Sequence, residues 1–226
     1  SKVQQKLGLI GLAVESLSKS VALQGELVDE DPSNLGKRWN LVAKSLFLAQ
    51  FVDFSGDQEK SWAMTVSNAS DLNDLVDQSP DIQIYNAVAY GVFHRNYANQ
   101  AYRKGETSLA NRMLNDSISH LRAIANQHPD NKKVQFELTL AYYDYWNRHS
   151  GQFPDKAARD WLVNLEGSFN LVGCFDLDLA SRRAVMLASP SQARDYVSRL
   201  VEQNYREPEF MQFCTTHKLC TAQTDL

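Results

Sequence analysis

Three prolines punctuate this sequence at an almost fixed interval: Pro32, Pro80 and Pro129 lie 48 and 49 residues apart. Five residues before them stand Leu27, Leu75 and Ile124, and eleven before stand Val21, Ala69 and Ile118. Three glycines keep a similar beat, Gly56, Gly105 and Gly151 being 49 and 46 apart. Self-similarity at such a period marks a repeat architecture, in which one supersecondary unit cannot bury its apolar face alone and must lean on the next.

What fills each interval has helix period. Glycine and proline are scarce, at 10 and 6, and no run alternates apolar and polar residues as a strand would. A first helix is expected from about Val3 to Asp29, with Leu9, Ile10, Ala13, Leu17, Val21, Leu27 and Val28 as its apolar stripe. Ser33 is the expected N-cap of the next, which stops at Ser55-Gly56; Asp57 opens its partner, which Pro80 closes. Asp81 is the cap expected after the second proline, a third unit begins at Asp130 after the third, and Thr107 or Ser108 opens the helix between. After Gly151 the regularity lapses: a helix over 155–166, a loop with Phe169, Leu171 and Val172 packing underneath, a helix over 174–188, and a start specified by Ser189, Pro190 and Gln192. The expected fold is all-α: a right-handed solenoid of antiparallel helix hairpins with a period of about 48 residues over 1–150. Residues 151–226 form an irregular helical C-terminal cap on the last repeat, in one continuous domain.

Small residues at close-packing positions (Ala43, Gly91, Ala141) and apolar runs ending in Pro-Asp-Asn131 make residues 1–150 resemble the tetratricopeptide-like family, with longer helices. The tail, with Asp178, Arg182 and Arg183, then Asn204 through Phe210, and Cys214, resembles the helical-repeat segments that follow the membrane anchor in some bacterial serine/threonine kinases and winged-helix regulators. That likeness implies a periplasmic or extracytoplasmic module of a larger signalling protein.

Charge and composition exclude other classes. A formal charge of -4 without a cluster of lysines and arginines lacks the footprint of a nucleic-acid binder. The longest apolar run, 7–14, is far short of the roughly 20 residues of a membrane span, so no transmembrane segment is expected. The chain begins without an initiator methionine and reads as a domain cut from something longer. Three cysteines occupy its last quarter. They are either buried thiols or include one disulfide, within the tail between Cys214 and Cys220 or from Cys174 to one of them; Cys-x2-His-x2-Cys around His217 lacks a fourth ligand, so no metal is expected.

No catalytic constellation is visible. His94, His120, His128, His149 and His217 are scattered, Asp176 and Asp178 point apart on a helix, and no phosphate loop or nucleophile motif occurs. The expectation is a non-enzyme without cofactor that binds a protein or peptide partner. Positions six, ten and fourteen after each proline share a helix face, and their polar and aromatic members, Arg38, Asn86, Tyr90, His94, Gln135, Thr139 and Tyr143, are the candidate binding groove. The alternative is self-association as a homodimer through exposed apolar helix faces at an end of the stack.

Overall fold

The structure, a computed structural model, describes residues 9–78, 84–165 and 174–220. Pro80, Asp81, the 3–8 start of the first expected helix and the loop with Phe169, Leu171 and Val172 lie outside these. Among the described residues the chain is all-α, with ten helices and no strand. In order they are α1 (Ile10–Glu30), α2 (Leu35–Phe54), α3 (Gln58–Gln78), α4 (Ile84–Arg103), α5 (Thr107–Gln127), α6 (Lys132–Arg148), α7 (Lys156–Asn164), α8 (Cys174–Met186), α9 (Pro190–Glu202) and α10 (Pro208–Thr216). None is long and apolar enough to cross a membrane.

The helix ends follow from local chemistry. Gly56, Gly105 and Gly151 all have positive φ (95°, 80° and 86°), a region a side chain disfavours, so a glycine turns the chain there. At the starts, the sequence is corrected by one residue once. Asn34, not Ser33, caps α2 by accepting from the Lys37 amide at 3.1 Å. Asn131 caps α6 by accepting from the amides of Lys133 and Val134. Asp155 caps α7 through the Ala158 amide at 2.7 Å. Ser189 stands at the N-cap of α9 with Pro190 next, but its side chain makes no capping bond.

The chain divides into two compact units at His120 and Leu121, within α5. In the first, α1 packs on α2, α2 on α3, and α4 against both α2 and α3. Trp39, Val42, Leu72, Leu75 and Phe93 form its central cluster, with Leu35, Leu46, Tyr90 and Tyr97 packed around it. Buried polar groups join the helices: Ser61 Oγ donates to the Ala49 carbonyl at 2.7 Å and receives Gln100 Nε2 at 2.9 Å. Ser117 Oγ donates to the Gly91 carbonyl at 2.7 Å, tying α5 to α4. In the second unit α8 packs on α6 and α9, around Leu138, Leu177, Leu200, Phe210 and Phe213, all buried.

Candidate functional site

The apolar periodicity of α2 and α4 leaves a shallow cleft between them in the first unit. It is lined by Ala43, Leu46 and Phe47 from α2 and by Ala89, Val92, Phe93 and Asn96 from α4, and encloses about 250 Å³ of open space. Each helix contributes one alanine to the lining, Ala43 from α2 and Ala89 from α4. None of the lining side chains titrates, and Asn96 is the polar one.

The candidate groove residues of this unit are distributed as follows. Arg38 Nη1 donates to Gln78 Oε1 at 3.0 Å, bridging α2 to α3. Asn86 is half-buried. Tyr90 meets His94 and His120 edge-on, with ring centroids 4.4 and 4.9 Å away. His120 Nε2 lies 2.9 Å from the Ala87 carbonyl, a hydrogen bond that the imidazole donates. His94 is buried with neither ring nitrogen hydrogen-bonded. Burial pushes its pKa down to about 4; the Asp116 carboxylate opposes this and His120 adds to it. The ring is therefore neutral at ordinary pH.

In the second unit the candidate residues are interior, which corrects their reading as an open surface. Thr139 is fully buried, its hydroxyl donating to the Gln135 carbonyl at 2.9 Å. Gln135 is buried and gives its amide to the Pro129 carbonyl at 2.6 Å. Tyr143 is buried among rings, its hydroxyl 2.7 Å from His217 Nε2 and its face under Arg182. Burial pushes the Tyr143 phenol up to about 12.

Around Tyr143 lies a charged group absent from the candidate set. Arg182, on α8, holds Asp178 one turn earlier at 2.8 Å, with both side chains almost wholly out of solvent. Its guanidinium lies over Phe213 and Tyr143, 4.8 and 5.2 Å from their centroids, a desolvated cation between two rings. Tyr205 directs its hydroxyl at Asp178 from 3.4 Å. Glu207 is buried too and caps α10 by accepting from the Phe210 amide at 2.8 Å. Burial, then the carboxylates of Glu209 and Asp178, push its pKa up to about 7. Burial also raises Asp178, although Arg182 pulls the other way. For Arg182 the surrounding carboxylates outweigh burial and hold its pKa above the usual value. Arginine keeps its proton in proteins, so the Arg182 cation stands at neutral pH.

This cluster has the material of a catalytic site, with buried carboxylates, a phenol and an imidazole, and most of its hydrogen bonds run within the cluster, although Arg182 Nη2 is buried without a hydrogen-bond partner. It anchors α10 to α8. The tail beyond is closed by a disulfide between Cys214 and Cys220. Cys174 is a free thiol whose Sγ lies 3.0 Å from Gln203 Oε1. Among the described residues no group of three or more histidine, cysteine or carboxylate side chains is placed to hold a metal. Comparison with protein-family models, curated proteins and solved structures gave no match.

Proposed function

We propose that the chain is a non-catalytic protein-interaction module that takes an apolar side chain of a peptide or partner protein into the cleft between α2 and α4. The observation that carries this is the cleft's chemistry: an apolar depression lined by six apolar side chains and one amide, Asn96. Its apolar lining suits an apolar side chain of the partner, with the Asn96 amide able to take a main-chain hydrogen bond of the same peptide. The resemblance to tetratricopeptide-like repeats agrees with this, since α2 and α4 are the first helices of two successive hairpins. The likeness of the tail to sensor segments of bacterial regulators supports reading the module as part of an extracytoplasmic signalling protein, and the Cys214–Cys220 disulfide agrees with that reading.

The test is selection of peptides from a random display library on the 226-residue chain, followed by calorimetric titration. Selected peptides share an apolar anchor, and Ala89→Leu, which fills the cleft, weakens them at least tenfold while leaving the thermal midpoint within a few degrees. Absence of any sequence-selective peptide, or binding indifferent to Ala89→Leu and Asn96→Ala, overturns the reading.

A further inference from the structure

The outer face of α1 is apolar where solvent should be. Of the seven large apolar residues exposed among the described residues, four belong to this one stretch: Leu9, Leu12, Leu23 and Leu27, between 43% and 61% exposed. The adjoining side of the helix, with Ala13 and Gln24, is buried, and Gln24 bonds to the Lys37 carbonyl and to Lys44 Nζ of α2. The leucines are thus not part of the packing on α2.

Their order carries more information than their number. Leu9, Leu12, Ser16, Ser20, Leu23 and Leu27 follow one another at steps of three or four and lie along one side of the helix. Read from either end, the row is leucine, leucine, serine, serine, leucine, leucine. It is close to symmetrical about position 18. A surface that pairs with itself across a two-fold axis must be self-complementary, residue i meeting j while j meets i. This row meets that condition when two copies of α1 lie antiparallel: Leu9 faces the second copy's Leu27, Leu12 its Leu23, and Ser16 its Ser20. The serines fall at the crossing, where small side chains let two helix axes approach to roughly 8–10 Å.

We infer that α1 mediates self-association of the chain as a two-fold, antiparallel helix pair centred near residue 18. This goes beyond the cleft reading and does not depend on it. A contact running about 27 Å along each helix buries on the order of 1,000 Å² in all, near the lower limit for a specific interface. The dimer is therefore weak, and forms at micromolar or higher concentration.

Sedimentation velocity of the full chain from about 5 to 500 μM spans that range. The weight-average mass is expected to climb from 25.6 kDa towards twice that value. Leu12→Glu with Leu23→Glu raises the dissociation constant at least tenfold with unchanged circular dichroism, because both side chains are already exposed. Orientation is read separately in a Cys174→Ser background with a short bismaleimide cross-linker. A mixture of Leu9→Cys and Leu27→Cys chains cross-links well, and either variant alone does so several-fold less. A mass that stays at the monomer value throughout, a dimer indifferent to the two glutamates, or equal cross-linking by Leu9→Cys alone overturns the inference. Ala89→Leu leaves the dimer intact, so failure of the cleft reading and failure of this one are distinguishable.

Discussion

Removing the carboxylate of Asp178 leaves Arg182 buried beside two aromatic faces, and the cost falls on the cation rather than on the lost bond. Breaking one side of a buried ion pair typically costs roughly 3–5 kcal/mol. Glu207 and Glu209 supply compensating charge, so Asp178→Asn is expected near the lower end, about 3 kcal/mol. Replacing both partners by apolar residues, Asp178→Leu with Arg182→Met, costs much less, because no charge is stranded. Urea unfolding followed by circular dichroism measures both; a loss below about 1 kcal/mol for Asp178→Asn would show that the pair does not need its charge. Part of this pair was legible. Asp178 and Arg182 stand four apart among Leu177, Leu179, Ala180 and Ala184, and two opposite charges on an apolar helix face need each other. Glu207 was not legible, because only the approach of α10 buries it.

At the scale of the element, the sequence showed where helices stop more sharply than where they start. Gly56, Gly105 and Gly151 stop them because positive φ admits few alternatives. Starts were ambiguous where two capping residues adjoin, as Ser33 with Asn34 and Asp130 with Asn131. The side chain that reaches an open amide decides, and that depends on the dihedral angles of the turn. Asn34→Ala and Asn131→Ala should each cost about 1 kcal/mol, whereas Ser33→Ala should be almost neutral. The groove positions failed in the second unit for a related reason: Gln135, Thr139 and Tyr143 share a helix face, but a face is open or closed according to what packs on it. The Cys214–Cys220 disulfide belongs to this scale as well, since it ties the end of α10 to the segment after it. Closing so short a loop contributes about 2 kcal/mol through the entropy of the unfolded chain. Reductant, or Cys214→Ser with Cys220→Ser, should lower the melting temperature by roughly 5 °C, and Cys174→Ser should not. A melting curve unchanged by reductant would contradict the bond.

For the whole molecule, the two units carry buried groups whose titrations act on stability in opposite directions. Glu207 has its folded pKa raised to about 7 from 4.5, so as pH falls from 8 to 6 the folded chain takes up a proton that the unfolded chain does not. Stability contributed by this group therefore increases as pH falls, by about 1 kcal/mol over that interval. His94 is lowered from 6.5 to about 4, so below pH 6.5 the unfolded chain takes up the proton first. Its contribution is complete above pH 6.5 and is lost on the way to pH 4, by roughly 2–3 kcal/mol. His120 and His217, also lowered, act in the same direction as His94. The unaltered chain should gain stability from pH 8 to about 6.5; below it the histidine losses oppose a Glu207 gain that continues to about pH 4.5, so the rise stops there. Thermal melts from pH 8 to 4.5 separate the two groups: Glu207→Gln should flatten the upper arm and turn the lower one into a fall, whereas His94→Phe should leave the upper arm and let the gain continue below pH 6.5. A variant that shifts the entire profile without changing either slope would mean that its group does not titrate in the folded chain. Because Glu207 and His94 sit in different units, a curve that keeps one arm when the other is removed would also show that each arm is set within its own unit.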